Sequence, residues 1–85
     1  MSKVNTKSNH EIISIIANAK GYLYNGENIF TYAEWKERGF SIIRGEKEFA
    51  RTYLWTRGIN KRFVQSSIFT IDQVIRMSVK SLVVV

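Results

Sequence analysis

Residues 49–69 read FARTYLWTRGINKRFVQSSIF, two alternating runs separated by Gly58-Ile59-Asn60. Alternation at a period of two marks half-buried strands, and a short glycine-containing break between two such runs is a hairpin signal. A three-residue loop sets Trp55 opposite Phe63, Tyr53 opposite Gln65 and Arg51 opposite Ser67. Side chains two apart share one face of a strand. Arg51, Tyr53, Trp55 and Arg57 therefore line one face, extended across the hairpin by Lys61 and Phe63. Ala50, Leu54, Val64 and Ile68 line the other. Phe49 and Phe69 have the parity of the aromatic face, so either face is apolar enough to be the core, and alternation alone leaves the choice open.

Outward from the hairpin, one piece of helix-start grammar recurs. Ser8 with Glu11, Thr31 with Glu34, and Thr70 with Gln73 each put a hydroxyl at an N-cap and a carboxylate or amide three residues on, the spacing of a capping box. Phe30 and Trp35, then Phe69 and Val74, flank the second and third caps as hydrophobic staples. The first helix is expected over about 9–20, with Ile12, Ile13, Ile16, Ala17 and Ala19 as its apolar face and Gly21 as the residue that ends it. Residues 22–30 carry Asn25-Gly26 and form either a small hairpin or a loop. TYAEWKERG is a short second helix, FSII a brief strand, and Arg44-Gly45-Glu46-Lys47 a turn with Gly45 at positive φ. The strand of the opening is expected over about 49–56. A third helix is expected from Ile71, and the closing SLVVV is an edge strand or a tail.

These elements make one α+β domain, a small antiparallel β-sheet with two to three helices packed mainly on one side. Residues 1–8 are expected as a flexible lead, 9–75 as the module, and 79–85 as edge strand or tail. Eighty-five residues with 45% apolar and 24% charged side chains suit a single small core. No cysteine is present, which excludes disulfides and thiolate metal sites and fits a reducing cytoplasm. The apolar run Ile12–Ile16, interrupted by Ser14, is too short for a signal peptide and far too short for a membrane helix.

Charge narrows the function. Residues 51–85 hold Arg51, Arg57, Lys61, Arg62, Arg76 and Lys80 against Asp72 alone, so five of the six net positive charges fall there. Such asymmetry points to an anionic partner. Catalytic chemistry is thin by contrast. His10 is a lone histidine, Glu46 and Glu48 are flanked by Arg44 and Lys47, which hold carboxylates ionised, and Gly45-Glu46-Lys47 lacks the spacing of a phosphate loop. Neither an enzymatic activity nor a cofactor is expected. Basic side chains interleaved with aromatic ones suit single-stranded nucleic acid, whose phosphates need cations and whose bases stack on rings.

TYAEWKERGFSIIRGEKEFARTYLWTR (31–57) followed by KRFVQSSIFTIDQV (61–74) resembles the N-terminal domain of ArdC-type antirestriction proteins and related plasmid or phage replication proteins. The resemblance lies in Trp35 with Gly39, the turn Arg44–Lys47, Leu54-Trp55, and Phe69, Ile71 and Gln73. It implies a single-stranded-DNA-binding module. In the family that module is fused to a metalloprotease-like domain with a His-Glu-x-x-His motif or to a replication domain, and this chain has no such motif. The resemblance therefore implies binding alone, with a separately encoded polymerase, primase or helicase as a partner of this mobile-element protein. Arg44, Lys47, Arg51, Arg57, Lys61 and Arg62 are the expected phosphate contacts, Tyr53, Trp55 and Tyr32 the expected stacking residues, and Trp35 a core residue. An anti-defence protein that inhibits another protein through the same aromatic face is the second expectation.

Overall fold

The structure is a computed structural model and describes residues 7–77. The expected tail at 79–85 and the start of the expected lead, 1–6, lie outside the described residues. Ser8 caps α1 (Asn9–Ala19): its hydroxyl accepts from Glu11 N–H, and the Glu11 carboxylate accepts from Ser8 N–H. α1 closes on Gly21, at φ +75°, with Tyr22 N–H returning to Ala17 O.

Residues 22–28 form a loop and not a hairpin. Asn25 and Asn28 bond locally, Asn25 Oδ1 accepting from Glu27 N–H and Asn28 Oδ1 from Asn25 N–H. The next residues, β1 (Ile29–Thr31), pair with a strand far along the chain. Thr31 ends β1 and also caps α2 (Tyr32–Glu37), accepting from Glu34 N–H. Gly39, at φ +89°, turns the chain into β2 (Phe40–Ile42). Gly45, at φ +91°, makes the expected turn.

The hairpin follows as β3 (Ala50–Trp55) and β4 (Phe63–Thr70), in the expected register of Trp55 to Phe63, Tyr53 to Gln65 and Arg51 to Ser67. One sheet has the order β1-β4-β3, all antiparallel. The expected third helix does not form. Thr70 N–H bonds Gln73 Oε1 as a capping box requires, but only a single 3-10 turn, Ile71–Gln73, results. The β-branched Val74 and Ile75 after it, with Arg76, form β5 (Val74–Arg76), which pairs with β2 as a second, two-stranded sheet. Val74 is buried there, so sheet pairing plus burial outweighs the helix start.

Two apolar clusters result. Ile13 and Ala17 of α1 meet Ile29, Leu54 and Ile68, with Phe49 and Ala50 at the margin. The second gathers Phe30, Phe69 and Val74 around Trp35. As expected, Trp35 is core: it is 1% exposed, its indole donates to Phe69 O, and its ring lies 5.1 Å from that of Phe30. No helix among the described residues is long and apolar enough to cross a membrane.

Candidate nucleic-acid interface

The question left open by alternation is answered by α1. It covers the face of Leu54 and Ile68, which are 3% and 0% exposed. On the other face Tyr53 is 51% exposed and Phe63 40%, with Trp55 half-buried between solvent and the chain before α1. Their rings form one strip, Trp55 to Phe63 at 4.7 Å between centroids and Tyr53 to Phe63 at 5.7 Å. Trp55 is held in place by its indole N–H, which donates to Lys7 O.

Phe49 departs from its parity. Its N–H bonds Ile68 O, although Ala50 is the residue opposite Ile68. Two residues facing one make a bulge that turns Phe49 to the α1 side, where it meets Tyr22 and Lys20. Phe69 keeps its parity and is buried under Trp35. The aromatic face is thus closed at its β1 end and open toward the hairpin loop.

Of the expected cations, Arg51 stands on the open face, exposed and ion-paired with Glu48 at 3.0 Å. A bond from its own backbone, then Arg51, holds Glu48 below the usual carboxylate range. Lys61 and Arg62 are exposed in the loop beside Trp55 and Phe63, with Arg62 N–H fixed by Thr56 Oγ1.

Arg57 borders a shallow pocket with Trp55 and Lys61, but its guanidinium is engaged elsewhere. The strand ends at Trp55, and Arg57 reaches across to α2, bonding Glu37 at 2.7 Å and Glu34 at 3.3 Å. Those carboxylates raise its already high pKa. Together they border a groove of about 470 Å³ on the α1 side, whose lining includes His10, Leu54, Val64 and Ser66. Alternation failed here because it holds only while the strand continues.

Arg44 and Lys47 are exposed beyond the start of β3, the opposite end from the loop. Their turn is clamped by Gln73, whose amide donates to Lys47 O and to Glu46 Oε1. Tyr32 is exposed on α2 with Lys36 over its ring, and no ring contact joins it to the strip. Tyr22 donates to Asp72, and burial followed by that carboxylate pushes its pKa up; burial and then Glu34 do the same for Tyr24.

Asn9 is the residue that the sequence reading missed. Its amide donates to Trp55 O at 3.0 Å and accepts from Trp55 N–H at 2.8 Å. The partners are 46 residues apart, and only an asparagine in a first helical turn hinted at side-chain bonding.

No protein-family model, curated protein or solved structure matches the chain.

Proposed function

We propose that the protein binds single-stranded DNA, without catalysing a reaction, on the open half of the β1-β4-β3 sheet. Tyr53, Trp55 and Phe63 stack on bases, while Arg51, Lys61 and Arg62 meet phosphates. Arg44 and Lys47 meet a strand that runs the length of β3, about 20 Å for a six-residue strand. Arg57 is withdrawn from the set because Glu34 and Glu37 engage it on the other side.

One observation carries this reading: a strip of three neighbouring aromatic rings, Tyr53 and Phe63 exposed and Trp55 half-buried, lies on the sheet face opposite the cluster of Leu54 and Ile68. The strip is not needed to bury Leu54 or Ile68, and a contiguous apolar patch on a small protein marks a contact surface. The basic surroundings select an anionic partner. Unpaired bases offer π-faces to such rings, each stack contributing about 1–3 kcal/mol by alanine substitution, whereas bases in a duplex are already stacked. The resemblance of the RGEK turn and the Leu54-Trp55 strand to the ArdC-type module agrees with this but carries less weight, since no family model matches.

Fluorescence anisotropy of labelled oligo-dT, oligo-U and duplex DNA across salt concentrations tests it. Binding to oligo-dT over duplex, with a log–log salt slope near −0.7 per phosphate neutralised, is the expected result. No oligonucleotide binding at low salt would sink the proposal. As part of the same reading the protein acts in the cytoplasm beside a separately encoded polymerase, primase or helicase of a mobile element. Co-purification that recovers no replication or repair enzyme would count against that part.

The second reading, an anti-defence inhibitor of another protein, is favoured by a different observation: Ile43, Ile75 and Met77 are 38%, 59% and 40% exposed around β2 and β5. It takes precedence if no oligonucleotide binds while a captured protein is released by Ile75→Asp.

A further inference from the structure

Asn9 closes one end of a feature that nucleic-acid binding leaves unused. Its amide makes with Trp55 the pair of bonds that a neighbouring strand would make there. The N–H and C=O of Trp55 therefore point away from β4. The Thr56 N–H bond to Arg62 O, one residue on, points toward β4. In an antiparallel ladder this direction alternates, so the N–H and C=O of Tyr53 and Arg51 also point outward from the sheet. No described residue meets them. At the other end of β3 the Phe49 N–H turns inward to Ile68 O. The open edge thus spans Arg51–Tyr53, with a closure at each end.

This edge lies beneath a helix. Asn9, Ile12, Ile16 and Lys20 recur at the three- and four-residue spacing of one helix flank. The first of them bonds Trp55, and Lys20 holds its Nζ 5.3 Å from the Phe49 ring centroid. Because the two ends of the flank touch the two ends of β3, the flank runs along that strand. Ile12 and Ile16 sit between those ends and are half-buried, Ile12 against the core and both with an edge left in solvent. The result is a trough with backbone donors and acceptors along one wall, two isoleucines above it, and Arg51 and Tyr53 on the outer face.

We infer that this trough takes up one extended segment of a partner protein as an added strand, with side chains that alternate between apolar and acidic. Strand addition satisfies the outward backbone groups, and alternate side chains supply the specificity. The apolar residues lie against Ile12 and Ile16. The acidic ones lie on the outer face beside Arg51, with Lys20 at the end of the trough. A second copy of this chain fits less well. It would bring together two chains of net charge +6, and Glu48, the carboxylate nearest the edge among the described residues, is already paired with Arg51. An open edge invites any strand; its closures and its charge select a short acidic one. The site is the backbone edge of the sheet; it shares Arg51 and Tyr53 with the aromatic face but does not depend on what that face binds, so it stands whether or not the nucleic-acid reading does.

The test is an amide NMR titration of the isotope-labelled full chain with a short capped peptide of alternating glutamate and valine. The expected result is shifts at Arg51–Tyr53, Ile12 and Ile16, with exchange of the Arg51 and Tyr53 amides slowed at least about tenfold. A peptide N-methylated at alternate residues on the bonding side, and one with lysine in place of glutamate, should each bind at least about tenfold more weakly. Unchanged Arg51–Tyr53 signals at millimolar peptide, or equal binding by the N-methylated peptide, would overturn the inference. So would slow exchange at both amides before peptide is added. That result would assign the edge to a second copy if it disappears on dilution, or to residues 1–6 if it disappears on their removal.

Discussion

The outward face of the β1-β4-β3 sheet has two halves with the same parity and similar composition but opposite fates. At the β1 end Phe30 and Phe69 are buried under Trp35, and the Arg38 guanidinium lies 3.9 Å from the Phe30 ring centroid. Toward the loop Tyr53 and Phe63 are about half exposed, and no helix among the described residues crosses them. Strand periodicity cannot distinguish the halves, because it says which side chains share a face and not what lies over that face. What decides is where α2 lands, and that follows from Thr31 serving as both strand end and helix cap. Trp35 is delivered to one half, and the rings of the other stay exposed or half-buried.

The comparison breaks most visibly at Trp35. Trp35→Ala removes the largest buried side chain among the described residues, together with its indole bond to Phe69 O. The expected loss is about 3–5 kcal/mol of unfolding free energy, measured by urea denaturation. That is a large part of the ~5–15 kcal/mol typical of a whole domain. Tyr53→Ala should cost under about 1 kcal/mol by the same measurement, since half of its side chain is already in water. Equal losses at the two positions would show that the open half is core after all.

Binding should show the reverse. Trp55→Ala is expected to weaken oligo-dT affinity by about 1–3 kcal/mol in the anisotropy titration, whereas any Trp35 variant that stays folded keeps it. A Trp55→Ala protein that folds and binds as well as the parent would remove the strip from the site.

Much of the closed half was legible in the sequence. The hairpin register follows from the loop length and the two alternating runs, and the helix starts follow from caps that act within three residues. The errors share one cause. Thr70 and Gln73 satisfy the local rule for a helix, yet Val74–Arg76 pair with Phe40–Ile42, more than thirty positions away in the sequence. Phe49 leaves its parity because of a bulge set by Ile68. Arg57 leaves the strip because two carboxylates on α2 meet it once the strand has ended. In each case a local pattern gave way to a partner that only the fold supplies.

Asn9 belongs to the same class, and its removal is a smaller perturbation. Asn9→Ala deletes both bonds to the Trp55 backbone, at an expected cost of about 1–2 kcal/mol from two part-buried hydrogen bonds. Amide exchange at Trp55 should rise in step, because its N–H then faces water. The open half of the aromatic face would keep its rings and the indole bond to Lys7 O but lose the backbone anchor of Trp55, so oligo-dT affinity should fall by less than for Trp55→Ala. A variant with unchanged Trp55 exchange would show that the edge is covered by something other than Asn9.

The finest separation concerns cations on the two sides of the sheet. A phosphate contact on a single strand contributes about 0.7 to the log–log salt slope. Lys61 stands in the loop beside the open half, so Lys61→Ala should lower the slope by about that amount. Arg57 is four residues away and as basic, but Glu34 and Glu37 already neutralise it on the far side. A DNA strand that recruited it would have to displace two carboxylates for one phosphate. Arg57→Ala should therefore leave the slope unchanged, and Glu37→Gln, which loosens the clamp, should raise it if the released guanidinium can swing to the strip. A drop of about 0.7 for Arg57→Ala in the parent protein would place the bound strand across the sheet edge instead of along its open face, and would return Arg57 to the site from which Glu34 and Glu37 remove it.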